Sequence, residues 1–351
     1  MRAEASGVNT SSGLELQKRR IGRGYRWFLT LLLGASCGLL HGQICQTATD
    51  MDAPVRGAIE AAAKRYFDMS AHGDIAGLKQ NSIPTVAANF AGIEYAVKED
   101  QASFTGAQAI VRPPYLLSAD GTAPLARAEF LCGVFGANGQ TKNSAEFILT
   151  NLPPGTYAFV ILDVTGGRTP TTLSLVLQQV SGSWKLAGYN ARPSQVAGHD
   201  ADWFVARARE YKAKSQNHDA WLYYREAIAL SAPVDFMSTL ATDKLYDELQ
   251  SVQPADFPVN GSTIDLSAGG KTYRVTDIFP LAVGNDLDVV IRYQAADISD
   301  TARTFQENTA VIKALLMKFP ELREAFAGVV ARAVDPSGRD YGTLLAMKDI
   351  K

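Results

Sequence analysis

The sequence predicts an α+β fold: a helix-on-antiparallel-sheet domain, then a helical-hairpin connector, then a second small α+β domain. Three changes of apolar period predict this order. Apolar residues recur every three to four positions over residues 54–100, every two positions from about 104 to 193, and every three to four positions again beyond Pro193. With 46% apolar and 20% charged residues, the 351-residue chain has the composition of a globular protein of two or three domains.

The N-terminal segment has the pattern of a secretory signal peptide over residues 1–43. The basic stretch "QKRRIGRGYR" precedes the uncharged run "WFLTLLLGASCGLL", after which polar residues return. This run is shorter than the ~20 residues of a membrane-spanning helix. Cleavage is expected near Gly42–Gln43 or after Ala48, followed by a flexible mature N-terminus at 44–53. An uncleaved anchor and lipidation at Cys37 are the alternatives. The pattern predicts export to a bacterial periplasm or the exterior, with membrane attachment only through this segment.

Charge and cysteine content narrow the class of partner. Removal of residues 1–43 takes away six basic and two acidic residues, so the formal charge shifts from −2 to −6. Such a chain has no basic field for nucleic acid. Cys45 and Cys132 could pair in an oxidising compartment, but "EFLCGVF" favours a free, buried strand thiol at Cys132. No CxxC motif is present.

Residues 54–100 are predicted to be helical. "PVRGAIEAAAKRYFDMSAHGD" places Pro54 in a first helical turn and carries an amphipathic apolar stripe. His72 is expected to end this helix and Asp74 to cap the next one. Pro84 is expected to interrupt the second helical stretch.

Residues 104–193 contain β-rich runs separated by Gly, Pro, Asn and Asp, among them "SAEFILTNLPPGTYAFVILDVTG". In "VSGSWKL", Ser181 and Gly182 supply a hairpin turn. Two helices followed by such strands resemble the nuclear-transport-factor-2-like (cystatin-like α+β) fold over residues 54–195. The closing "SLVLQQVSGSWKLAGYNARP" is similar to the last hairpin of many secreted bacterial members. The resemblance implies a cone-shaped domain with a curved sheet and a pocket, a fold that hosts enzymes, binding modules and dimerisation domains.

The same resemblance implies a set of pocket residues. The ligand-binding candidates are Tyr66, Tyr95, Tyr157, Trp184, Tyr189 and Asn190. Enzymes on this fold place a His–Asp or Asp–Tyr pair in the cavity, and no histidine lies within a predicted strand here. Asp163 is therefore the one catalytic candidate, with a turn role at its strand end as the favoured alternative.

Residues 199–253 resemble a single tetratricopeptide repeat followed by a third helix. The positions that would pack between its two helices are Phe204, Ala208, Tyr211, Ala220, Tyr224 and Ala227. One repeat cannot form a long peptide groove, and an assembly role would require an exposed apolar groove beside Tyr211 and Tyr224. Arg192, just before this segment, is expected to act at the domain junction rather than on a substrate.

Residues 257–351 are predicted to form a small α+β domain of strands, helix, Pro320 break, helix and a last hairpin strand. Its turn is "AGG". The second helix is expected to carry the stripe Leu322, Phe326, Val329 and Val330. Asp286 and Asp288 would share one face of a strand, where two acids can do acid–base work if buried; a solvated strand start is favoured.

The sequence predicts no metal site and no cofactor. His199, Asp200 and Asp202 could hold a metal weakly, but an aspartate here is better placed to cap the following helix. The predicted function is an exported, non-enzymatic binding or interaction module for a small apolar ligand or a protein partner. The alternative is an isomerase- or hydrolase-like enzyme that uses an acid in the pocket of residues 54–195.

Overall fold

The computed structural model describes residues 43–137, 139–259 and 261–351. The predicted signal peptide, apart from Gln43, lies outside the described residues, as do Cys37 and His41. The fold is α+β, built from helices and mainly antiparallel sheets that do not close into a barrel, which confirms the predicted class. It divides into a first unit, up to residue 253 with 280–287, and a second unit, 254–279 with 288–351. None of the described helices combines the length and apolar character that a membrane crossing requires.

Four helical segments begin the first unit, where two longer helices were predicted. They are α1 Ala53–Ala71, α2 Ile75–Gln80, α3 Pro84–Ala88 and α4 Ala91–Phe104. His72 ends α1, as predicted. The Asp74 carboxylate accepts the Gly77 amide at 2.8 Å, which caps α2, and Pro84 begins α3.

Nine strands build the two sheets of the first unit. They are β1 Gln43–Gln46, β2 Gln108–Val111, β3 Tyr115–Ala119, β4 Leu125–Gly136, β5 Gly139–Leu152, β6 Gly155–Thr165, β7 Thr171–Val180, β8 Ser183–Pro193 and β9 Met237–Thr239. The larger sheet has the order β1-β3-β6-β7-β8, with β2 also on β6, and the smaller has the order β4-β5-β9. The turn between β7 and β8 has positive φ at Ser181 (49°) and Gly182 (77°), which confirms the predicted hairpin.

Strand β1 corrects two predictions about the mature N-terminus. Residues 43–46 pair antiparallel with β3, so they are not part of a flexible tail. Cys45 is joined to Cys132 of β4 by a disulfide with a Cα–Cα distance of 5.1 Å, so Cys132 is not a free thiol. "QICQ" lacks the apolar alternation of a strand. Its partners in β3 lie 70 or more residues away and supply the pairing.

Alternate residues of β6 face two different cores. Ala158, Val160 and Leu162 pack with α1, α2 and α4 in a helix-side core. Tyr157, Phe159 and Ile161 pack with the smaller sheet in an inter-sheet core. Burial on both faces explains why β6 reads as one continuous apolar run.

The helical hairpin belongs to the first unit. It consists of α5 Ala201–Ala213 and α6 Asn217–Ser231, and α7 Leu240–Ser251 follows. Asp200 caps α5 by accepting the Trp203 amide at 3.0 Å. All six repeat-like positions are buried; the complete burial of Tyr211 and Tyr224 counts against an assembly groove there. Between α6 and α7 the chain returns to the smaller sheet as β9, so the hairpin interrupts this unit rather than connecting two domains.

The second unit is built around a five-stranded sheet. Its elements are β10 Ile264–Ala268, β11 Lys271–Val283, β12 Asp286–Gln294, α8 Thr301–Lys318, α9 Leu322–Ala325, β13 Gly328–Val334 and β14 Asp340–Ala346, except that residues 280–287, at the turn between β11 and β12, belong to the first unit. Helix α8 makes the crossover between the parallel strands β12 and β13. Gly269 and Gly270 form the "AGG" turn with φ of 58° and 76°.

Two predictions for this unit are wrong. Val329 and Val330 lie in β13, not in a second helix, because the β-branched run "GVVARAV" pairs on both sides. Asp288 is 3% exposed, not part of a solvated strand start, whereas Asp286 is exposed. Gly328 leaves the room for this carboxylate, since a side chain there would contact it.

Candidate functional site

The structure does not bring the six predicted pocket residues together. Tyr66 and Trp184 lie in the helix-side core, whereas Tyr157 lies in the inter-sheet core. The Tyr66 hydroxyl donates to the carbonyls of Asn81 (2.8 Å) and Trp184 (2.9 Å). Tyr95 is on α4 and is 51% exposed.

Two of the remaining candidates bond to backbone carbonyls. The Tyr157 hydroxyl donates to Pro153 at 2.9 Å, and the Asn190 amide donates to Pro233 at 3.0 Å. Arg192 forms an ion pair with Asp235 at 2.8 Å, which ties β8 to the segment after α6. Asn190 and Arg192 thus hold the segment after α6 against β8. Both ends of these contacts lie within the first unit, so Arg192 does not act at a junction between two domains.

Asp163 is held by an arginine. Arg112 donates from Nε (2.8 Å) and Nη2 (2.6 Å) to its two carboxylate oxygens. This hydrogen bonding raises the pKa of Arg112. Both side chains are about half exposed. A carboxylate engaged at both oxygens joins β2 to β6 and is poorly suited to act as a general acid or base.

A different acid lies near Tyr189. Burial, with a smaller contribution from Glu99, raises the pKa of Asp100 on α4 to about 6. The Tyr189 hydroxyl is buried and has no hydrogen bond of good geometry among the described residues, although the nearby Ser70 hydroxyl slightly lowers its pKa. Burial is the main cause of the raised pKa of Tyr189, and Asp100 adds to it. The hydroxyl of Tyr189 and the carboxyl of Asp100 are thus groups whose desolvation is not offset by hydrogen bonds.

The first unit contains a cleft of about 970 Å³ on the side of the larger sheet that faces away from α1–α4. It is lined by five separate segments: 47–50, 113–115, 133–134, 142–144 and 239–241 with Lys244. These segments are the link after β1, the entry to β3, the outer parts of β4 and β5, and the start of α7. We refer to this opening as the β1–α7 cleft.

The disulfide joins two walls of the β1–α7 cleft. Cys45 lies two residues before Thr47, and Cys132 lies directly before Gly133. The link after β1 and the outer part of β4 are therefore covalently fixed to each other, which limits how far the cleft can change shape.

A β-bulge presents Lys142 at the cleft. Gly133 pairs with Ser144 and Phe135 with Gln140, so β5 contains two more residues than β4 over this stretch. The Thr141 hydroxyl donates to the Val134 carbonyl at 2.6 Å and closes the bulge. Gly133 has a φ of 81°, and a side chain there would collide with the Asn143 carbonyl, so only glycine fits.

A capping box fixes the start of α7. The Thr239 hydroxyl accepts the Thr242 amide at 3.3 Å, and the Thr242 hydroxyl accepts the Thr239 amide at 2.8 Å. The box sets the direction in which α7 leaves the cleft, and so the position of Lys244 one turn later.

The charged side chains at the β1–α7 cleft are Lys142, Lys244 and Asp50. Both lysines are exposed, and neither forms an ion pair with any residue that the structure describes. Asp50 accepts the amide (3.0 Å) and hydroxyl (2.6 Å) of Thr47, which lowers the pKa of its carboxyl. The carboxylate is thus engaged within its own turn.

Comparisons of the chain with protein-family models, curated proteins and solved structures found no match. The described residues also contain no group of three or more His, Cys, Asp or Glu side chains arranged as metal ligands. The chemistry of the cleft therefore has to be derived from its own side chains.

None of the residues that line the cleft was predicted as a site residue from the sequence. Only Cys45 and Cys132, which lie beside the lining, were considered. One local signal was present, since the polar stretch "NGQTKNS" at 138–144 separates the apolar runs "FLCGVF" and "AEFIL". The other lining segments come from distant parts of the chain, and only the folded sheets bring them together.

Proposed function

We propose that this chain is an exported protein that binds a small ligand in the β1–α7 cleft. The observation that carries the proposal is an open cleft of about 970 Å³ with two walls joined by the Cys45–Cys132 disulfide. Ligand sites are concave and combine apolar groups with placed polar ones. This cleft combines apolar side chains such as Tyr115, Val134 and Leu240 with hydroxyls, an amide and three charged groups. A cross-linked wall lowers the ordering cost of binding.

The disulfide also supports export. Disulfides persist in oxidising compartments and are rare in the cytosol. Cleavage after Ala48 would remove β1 and Cys45, whereas cleavage between residues 42 and 43 would retain both. We therefore favour the earlier cleavage position. Membership of residues 54–195 in the nuclear-transport-factor-2-like fold remains a proposal that rests on the sequence resemblance.

Binding rather than catalysis is favoured by the state of the nearby acids. Asp50 is occupied by Thr47, and Asp163 is occupied by Arg112. On the helix side of the sheet, where the resemblance implies a pocket, side chains such as Phe67, Phe104 and Trp184 form a packed core.

A cleft-filling substitution tests the binding site. Ala241 is exposed in the first turn of α7 and lines the cleft, so Ala241→Trp should occupy it while α7 still forms. Ala61→Trp, at an exposed position of α1, is the matched control. In a thermal-shift screen of small organic acids, bases and neutral compounds, we expect stabilising compounds for the parent and Ala61→Trp but not for Ala241→Trp. Equal stabilisation of all three proteins would rule out the cleft as the binding site.

Export is tested with the full chain expressed in a bacterial host, beside a chain that lacks residues 1–42. We expect the full chain outside the cytoplasm, beginning at Gln43 and lighter by two hydrogens because of the disulfide, and the shortened chain in the cytoplasm. Retention of the full chain in the cytoplasm with free thiols would contradict the proposal.

A further inference from the structure

We infer that the β1–α7 cleft takes a small organic anion that carries an apolar group. This inference rests on the proposed function, since it names the chemical class of the ligand for the same cleft. It is carried by the charge balance of the lining and by the position of its apolar wall.

The charge balance of the lining favours an anion. Lys142 and Lys244 have no ionic partner among the described residues. The one lining carboxylate, Asp50, stays ionised because Thr47 lowers its pKa, so these three side chains together carry a net charge of +1. Lys98 of α4, by contrast, pairs with Glu94 at 2.5 Å. Two ammonium groups left unpaired at one concave surface attract a carboxylate, sulfonate or phosphate and disfavour a cationic ligand.

The placement of Lys142 is determined by local structure. A two-residue insertion in β5, closed by Thr141 and made possible by Gly133, projects Lys142 from the strand pair. Bulges re-aim side chains next to functional sites. A shorter β5 with regular pairing would complete the same sheet without placing Lys142 there.

The apolar part of the lining calls for an apolar group on the same ligand. It consists of Pro113, Pro114, Tyr115, Val134 and Leu240. Val134 is 65% exposed, although valine gains stability from burial. The ring of Tyr115 is held by an edge-to-face contact with Phe147, with ring centroids 5.1 Å apart. An inorganic anion would leave the wall in water, whereas an anion with an aromatic or aliphatic body would cover it.

A matched pair of fluorescent dyes separates the two parts of the inference. Anilinonaphthalene sulfonate carries one anionic group, and phenylnaphthylamine is the same aromatic body without the sulfonate. We expect the sulfonate to bind the parent protein more tightly than the neutral dye. Lys142→Gln with Lys244→Gln should weaken sulfonate binding on the order of tenfold and change neutral-dye binding less than about twofold. Added salt should weaken only the sulfonate.

Controls distinguish the class of ligand from the existence of the site. Lys64→Gln with Lys79→Gln makes the same charge change at exposed positions of α1 and α2 and should leave both affinities unchanged. Lys142→Arg with Lys244→Arg keeps the charge and should retain sulfonate binding. A loss of binding in this pair would indicate misfolding rather than the loss of charge. If Ala241→Trp blocks both dyes but the glutamine pair changes neither, the anion inference is wrong and the proposed function stands. If Ala241→Trp leaves sulfonate binding intact, the dye binds elsewhere and both proposals fail.

Discussion

Replacement of Cys45 and Cys132 together by alanine removes a cross-link between residues 87 apart in the chain. A loop of that length, closed in the unfolded state, lowers the entropy of unfolding enough to stabilise the folded state by ~4.6 kcal/mol. For a unit of about 200 residues, 1 kcal/mol corresponds to ~2–4 °C in Tm. We therefore expect the double variant to melt about 9–18 °C below the oxidised parent protein.

Thermal unfolding followed by circular dichroism, with and without a phosphine reductant, measures this difference. Cys132 is fully buried, so its truncation adds a small packing loss that the parent protein does not suffer when reduced. The reductant should lower the Tm of the parent by most of the expected amount and leave the variant unchanged. An oxidised parent that melts within about 2 °C of the variant in the absence of reductant would refute the reasoning, because the cross-link would then contribute almost nothing.

Three further predictions concern single side chains. The raised pKa of Asp100, about 6 against 3.8, means that its charged form destabilises the fold. The cost is absent below pH 4 and complete above about pH 7. Asp100→Asn should therefore raise the free energy of unfolding at pH 7.5 by about 1–1.5 kcal/mol, after allowance for solvent screening, and leave it unchanged at pH 3.5. Urea unfolding at the two pH values checks this, and an equal gain at both would contradict it. Arg209 bonds both oxygens of Glu248 (2.9 and 2.7 Å) and lowers its pKa to about 2, against 4.5. The stabilising contribution of ionised Glu248 is complete above about pH 5 and is lost as the pH falls towards 2. Glu248→Gln should therefore lower the free energy of unfolding by about 1 kcal/mol at neutral pH. Urea titrations at pH 3 should show a smaller loss. Asn308 is fully buried; its side chain accepts a hydrogen bond from the Tyr293 hydroxyl at 2.7 Å and donates one to the Thr343 hydroxyl at 2.9 Å. Asn308→Leu should therefore lower the free energy of unfolding by about 2–4 kcal/mol, seen as faster amide hydrogen exchange in α8. Unchanged exchange would refute the structural role of this side chain.

Local signals predicted the features that depend on neighbouring residues. The turn at Ser181–Gly182 and the helix caps at Asp74 and Asp200 all form as expected. Each needs only a few consecutive residues, whose backbone preferences decide the outcome. The buried faces of α5 and α6 follow from periodicity in the same way.

Features that depend on distant residues were missed. β1 forms because β3 and Cys132 hold it, and its own four residues carry no strand pattern. In β13, "VV" fits either a helical stripe or a strand, and the parallel partner β12 decides between them. The cleft contains no motif because five segments contribute to it, and the pairing that displays Lys142 follows from the register of β4 and β5.

Strand β9 has a consequence for dividing this gene into fragments. Residues 237–239 pair with 145–147 of β5, so the outer neighbour of β5 is translated some 90 residues after it. A fragment that stops at residue 195, where the repeat-like helices begin, would leave that edge bare and open to pairing with other copies. A recombinant piece in which this edge is covered must therefore include β9 and extend to at least residue 239. In evolution, too, the helical hairpin could be exchanged or lengthened between β8 and β9 as an insertion, but it could not be trimmed away as a tail.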